Sequence, residues 1–201
     1  SILRVNVTTR KATLEPAPRR WRTLGGRSLT SAIVAAEVPP DCHPLGPSNK
    51  LVIAPGIVTG TSAPTSGRLS VGGKSPLTGG IKESNSGGLA PQKLARLGIK
   101  AIIVEGQPKA GQWSLLEVNK SGAKLVPATN LAGKGMYEVD DLIWERYGKN
   151  VAVIGIGPAG EMKMTMAGVS INDMENSPGR YAGRGGLGAV CVAAGGFILV
   201  T

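Results

Sequence analysis

The residues best equipped for chemistry lie in glycine-rich stretches. SPGRYAGRGGLG, residues 177–188, places five glycines and two arginines in twelve positions. Glycine lets a backbone approach a ligand closely and adopt positive φ, at an entropic cost that a plain surface loop has little reason to carry. Arginine adds rigid bidentate donors suited to phosphate and carboxylate. Two further clusters share this character: Arg68 with Lys74 and Ser75, and ESNSGG at 83–88. Exposed amides in such loops cradle phosphate oxygens, and carbonyls bared by the same turns suit a hard cation such as Mg²⁺. No nucleophile with a base, no paired carboxylates and no ligand triad accompany them. On residues alone, the chain binds a phosphorylated cofactor without visibly carrying the chemistry performed on it.

Three glycine patterns invite other readings and fail on context. GIGPAG at 155–160 follows an apolar strand-like run, but a dinucleotide site needs a helix opening onto the pyrophosphate. Here EMKMTMAGVSI follows and alternates like a strand, and Pro158 sits where a free N–H is wanted. GRGGLG at 183–188 has no strand expected before it. GRLSVGGKS at 67–75 approaches the phosphate loop of nucleotide triphosphatases, yet Arg68 stands where that loop needs glycine.

Short apolar runs must position these loops. Strands are expected at 2–7, 50–54, 67–71, 101–106, 113–118, 151–155 and 197–200, and helices at about 27–36, 89–97 and 135–147. In the last, Met136, Val139, Leu142, Ile143 and Tyr147 share one face, with Gly148 closing the helix. The fold class is therefore α+β, with many short, mainly antiparallel strands and few helices. The stretch from Asn49 aligns with that from Asn150, and the GGL element after Ser86 aligns with the one after Arg184. Each half reads strand, turn, strand, glycine loop, helix, strand. An internal duplication follows, with repeats at about 1–106 and 107–201 and two related glycine loops.

Composition narrows the partners. The 23 basic residues against 13 acidic ones give a net charge of +10, which favours an anionic ligand. Aromatic residues are only 3% of the chain and the basic residues are scattered, so a nucleic-acid-binding protein is the weaker alternative. Cys42 and Cys191 stand far apart without a CxxC, which argues against a disulfide framework or a cysteine metal site. His43 lies in a proline-bounded loop beside Asp41 and Cys42, three adjacent residues that cannot all point at one metal. No long apolar run or signal-type start is present, and the expected location is the cytoplasm, away from membranes.

Taken in order, LRVNVTT, EVPPDCHPLGPSNKLVIAPGIVTGTSAPTSGR, KSPLTGGIKESNSGG, GIKAIIVEG, GIGPAGE and GRYAGRGGLGAV resemble the N-terminal domain of the tungsten-containing aldehyde ferredoxin oxidoreductase family. The resemblance implies a duplicated unit forming the base for tungsten, or molybdenum, held by two pterins whose phosphates are bridged by Mg²⁺. It implies that Arg68 contacts one pterin and that Asn85 and Gly87 bind pterin and phosphate. Tyr181, Ala182, Gly183 and Arg184 then serve the other half, and the Asn85 and Ala182 carbonyls reach Mg²⁺. The implied reaction oxidises an aldehyde with water to a carboxylic acid and passes electrons through a 4Fe–4S cluster to ferredoxin. Two isolated cysteines cannot hold that cluster, so the cluster and the catalytic groups belong to further domains of a longer enzyme. This chain alone is then inactive, with those domains as partners and oligomerisation left open. A stand-alone carrier or assembly protein for the pterin cofactor is the alternative. GAVCVAAGGFILV departs from the family pattern by losing lysines.

Overall fold

The computed structural model describes residues 1–193 and 195–201. Its central strands are apolar on both faces, because each sheet is covered twice. β1 (Ile2–Asn6), β3 (Lys50–Pro55) and β6 (Ala101–Glu105) show the alternation. Leu3, Leu51, Ile53, Ile102 and Val104 point to the inner core, whereas Ile2, Val52, Ala54 and Ile103 point outward beneath a helix. This period of two follows from strand geometry and needs a hydrophobic partner on each side.

With β2 (Lys11–Glu15), β4 (Leu69–Lys74) and β5 (Ile81–Ser86), these strands form a six-stranded sheet ordered β2-β1-β6-β3-β4-β5. The second sheet uses β7 (Ser114–Asn119), β8 (Gly122–Pro127), β9 (Ala152–Gly155), β10 (Val169–Ile171), β11 (Arg180–Ala182) and β12 (Gly196–Val200). Its order, β8-β7-β12-β9-β10-β11, repeats that of the first. Among the described residues, only β1 with β6 and β7 with β12 pair in parallel. The class is α+β, as composition and pattern lead one to expect.

Five layers result. α1 (Gly26–Glu37) covers the outer face of the first sheet through Leu29, Ile33 and Val34. α3 (Met136–Tyr147) covers the second through Met136, Val139 and Ile143. Between the sheets lie α2 (Leu89–Arg96) and α5 (Leu187–Ala193), whose Ala90, Leu94, Leu187 and Val190 join one shared core. At the margins β5 meets β11, and β2 meets β8.

Several local expectations are corrected. β4 extends through Gly72 and Gly73, which the sequence reading left outside a strand. A Cβ on Gly72 would come 2.6 Å from the Thr30 Cβ, so the glycine lets α1 settle on the sheet. Pro158 opens a short helix, α4 (Pro158–Glu161), at a first-turn position where no N–H is required. The following MKMTMAG is turn and loop, with Lys163 at φ 57°, and Val169–Ile171 is strand. A strand does precede GRGGLG, namely β11, and α5 follows it. Yet β12 pairs with β9 and β7, not with β11, so no dinucleotide-type crossover arises. Position 194, inside the expected helix-like run, lies outside the described residues.

Candidate cofactor site

Where β5 meets β11, the edges of both sheets and one face of α2 line a cleft of about 1040 Å³. Arg68, Asn85, Gly87 and Tyr181, all read as ligand contacts from the sequence, line it together. Ala182, Gly183 and Arg184 do not line it. Ala182, the last residue of β11, is buried in the shared core, and Gly183 and Arg184 are exposed next to β5, at the adjoining rim.

The register explains this placement. Asn85 pairs with Ser70 across the first sheet, and Tyr181 pairs with Ser170 across the second. With Ile53 and Ile154 as matched positions, Tyr181 is the topological counterpart of Asn85, and Ala182 that of Ser86. Side chains alternate along a strand, so Asn85 and Tyr181 face outward while Ser86 and Ala182 face inward.

Four arginines lie at the cleft and its rim, Arg68, Arg96, Arg180 and Arg184. Arg68, Arg180 and Arg184 are exposed, and their guanidinium groups form no hydrogen bond or ion pair among the described residues. A Cβ on Gly183 would meet nothing within 4 Å, and one on Gly87 only the Gly67 carbonyl oxygen at 3.6 Å. Both glycines therefore face open space that a ligand can enter, and the donor set of forks and backbone amides fits a phosphorylated group.

The expected cluster of Arg68, Lys74 and Ser75 divides. Lys74 is buried and donates to the carbonyls of Pro40 and Cys42, the latter at 2.6 Å. Its ammonium is spent on holding the proline-bounded loop. Ser75 donates from Oγ to the Gly185 carbonyl at 2.6 Å, inside the fold. His43 in that loop accepts the Leu45 N–H at Nδ1, and no metal-binding group of His, Cys, Asp or Glu forms among the described residues. Cys191 is fully buried, and burial pushes its thiol up to about 12.

Other lining residues escaped sequence reading. Lys93 and Arg96 present charge from α2, and Asp173 and Glu175 face the cleft from the loop after β10. Lys93 donates to the Asn150 carbonyl at 3.0 Å, and burial, with Arg96 nearby, lowers its pKa. The spacing of Lys93 and Arg96, three apart behind GGL, was the available signal. Asp173 accepts the N–H groups of Glu175 and Ser177 at Oδ1, both at 3.0 Å, which fixes the loop.

The family profile described as aldehyde ferredoxin oxidoreductase, N-terminal domain, matches residues 2–194. The chain belongs to this family. It is 41% identical over 194 residues to the tungsten-containing aldehyde ferredoxin oxidoreductase of Pyrococcus horikoshii. To the proteins of the same name from Thermococcus kodakarensis and Pyrococcus furiosus it is 39% identical over 193 residues. Each match covers 94% of this chain, and the chain spans about 30% of the length of these family members. A solved structure, the active-site complex BamBC of benzoyl coenzyme A reductase with 1,5-dienoyl-CoA, superposes with a TM-score of 0.90 at 29% identity. It covers 99% of this chain and 30% of that one. Among the described residues, no helix is long and apolar enough to cross a membrane.

Proposed function

We propose that this domain is the base of a tungsten- or molybdenum-bearing bis-pterin site in an aldehyde ferredoxin oxidoreductase, each half of the fold serving one pterin phosphate. The observation that carries this reading is the meeting of the two glycine loops, 85–88 and 181–186, beside a cleft ringed by arginines without partners. Arg68 and Arg184 supply bidentate donors to the two phosphates, and the Gly87 and Gly183 amides complete the cradle. The Asn85 and Ala182 backbone carbonyls would hold Mg²⁺, which would neutralise phosphate charge as a hard cation.

In a longer enzyme of this kind, the bound tungsten supplies the two-electron chemistry by which an aldehyde and water become a carboxylic acid, two protons and two electrons. A 4Fe–4S cluster held by other domains would supply the route for these electrons to ferredoxin. This chain's contribution is to bind, orient and neutralise the cofactor's phosphates. Its two cysteines lie far apart in sequence and Cys191 is buried, so they do not supply the four thiolates such a cluster needs.

The test is Arg184→Ala and Arg68→Ala in protein purified without oxygen. Each substitution removes an exposed side chain that makes no bond within the fold. Pterin and metal content should fall about tenfold, the loss of one charge-assisted pair of hydrogen bonds, while the melting temperature of the cofactor-free protein stays unchanged. Unaltered content with a lowered melting temperature would assign these arginines to the fold instead.

A further inference from the structure

Each glycine loop is held by the opposite half of the molecule. The Arg184 N–H donates to the Ser84 Oγ at 3.0 Å, and the Ser75 Oγ donates to the Gly185 carbonyl at 2.6 Å. Ser75 and Ser84 both belong to the first half, and both are buried. Ser75 is itself fixed, because its Oγ also accepts the N–H groups of Leu77 and Thr78, each at 3.1 Å. In the other direction, the Leu89 N–H, directly after the first glycine loop, donates to the Asn172 carbonyl at 2.9 Å. Asn172 is locked onto β9, accepting the Val153 N–H at 2.8 Å and donating to the Val151 carbonyl at 3.1 Å.

The glycines enforce these contacts. A Cβ on Gly88 would stand 2.5 Å from the Asn172 carbonyl oxygen, and one on Gly186 would overlap the Thr165 carbonyl oxygen and reach Pro76. Ser84 also lies on β5, one residue before Asn85, so the strand that presents the first loop is the strand that holds the second.

We propose that Ser75 and Ser84 are positioning residues for the second glycine loop, and that the crossed bracing makes the two phosphate subsites load as one coupled unit. Ordering one loop on an anion fixes β5 and Ser84, and through them the Arg184 amide. The second anion then meets a loop whose ordering is already complete, and by linkage the effect is mutual. The inference rests on the two-part cradle proposed above.

The experiment is a titration of the protein with inorganic phosphate in the presence of Mg²⁺, followed by the backbone amide signals of Gly87 and Gly88 in one loop and Gly183 and Arg184 in the other. In the wild type both pairs should move with one common half-saturation. Ser84→Ala and, separately, Ser75→Ala should raise the half-saturation of both pairs roughly three- to tenfold, the value of one hydrogen bond. Ser84→Thr, which keeps the hydroxyl, should restore it. If the substitutions lower only the melting temperature, or weaken the second loop while the first titrates as before, the coupling is overturned. Failure of phosphate to move either loop in the wild type would instead overturn the cradle itself.

Discussion

Asp140 lies fully buried on α3, and neither of its carboxylate oxygens has a hydrogen-bond partner among the described residues. Burial, with Asp141 adding to it, pushes its carboxyl from 3.8 up to about 7. A carboxyl whose folded pKa is raised stabilises the fold below its unfolded pKa, and that contribution is lost as pH rises through about 7. Stability should therefore fall between pH 5 and pH 8. Asp140→Asn should flatten that slope and stabilise the protein at pH 8 by about 1–3 kcal/mol, read by urea unfolding at the two pH values. Elsewhere, Arg4 joins Glu15, Glu37 and Glu105, and Lys50 joins the last two. Burial draws Glu37 upward, but the hydrogen bonds from Arg4 and Lys50 outweigh it and lower its pKa. Arg4→Ala should cost about 1–3 kcal/mol at pH 7, since it leaves Glu37 and Glu105 sharing Lys50 and removes the pairing of Glu15. The deficit should shrink as acid protonates them.

Among the elements, legibility tracked how far packing overrode pattern. β1, β3, β6, β9 and β12 were readable because both their faces are apolar. All three expected helices form within two residues of their expected limits. β2, β5, β8 and β11 were not, since they are short or polar and are held as strands by their partners in the sheet. β5, reading IKESNS, has no strand propensity of its own, yet it carries Ser84 and Asn85 to the site. Of the site, the glycine loops and Arg68 were legible from composition, whereas the loss of Lys74 to the Pro40 and Cys42 carbonyls was not. That contact joins residues more than thirty positions apart. A pair of glycine substitutions separates fold from ligand at this scale. Gly186→Ala, at φ 68° against the Thr165 carbonyl, should destabilise by at least about 1 kcal/mol. Gly183→Ala meets no neighbour, so thermal unfolding should be unchanged while phosphate binding weakens.

At the scale of the molecule, two sheets of identical strand order pack face to face, with both central helices in one core. The arrangement brings β5 and β11 together, and with them the two glycine loops that lie about a hundred residues apart in sequence. The asymmetry between halves is as informative as the likeness. Following the GGL register, Lys93 of α2 corresponds to the buried Cys191 of α5, and Gln92 to Val190. The first half thus lines its side of the cleft with charge from a helix, Lys93 and Arg96, whereas the second does so from β11 and the loop after β10, with Arg180, Asp173 and Glu175. The most direct test of the central claim is the stoichiometry of tungsten or molybdenum, Mg²⁺ and pterin in protein purified without oxygen from its native cell. Two pterins and one Mg²⁺ for each tungsten or molybdenum are predicted. Intact protein that carries neither metal nor pterin would contradict the account.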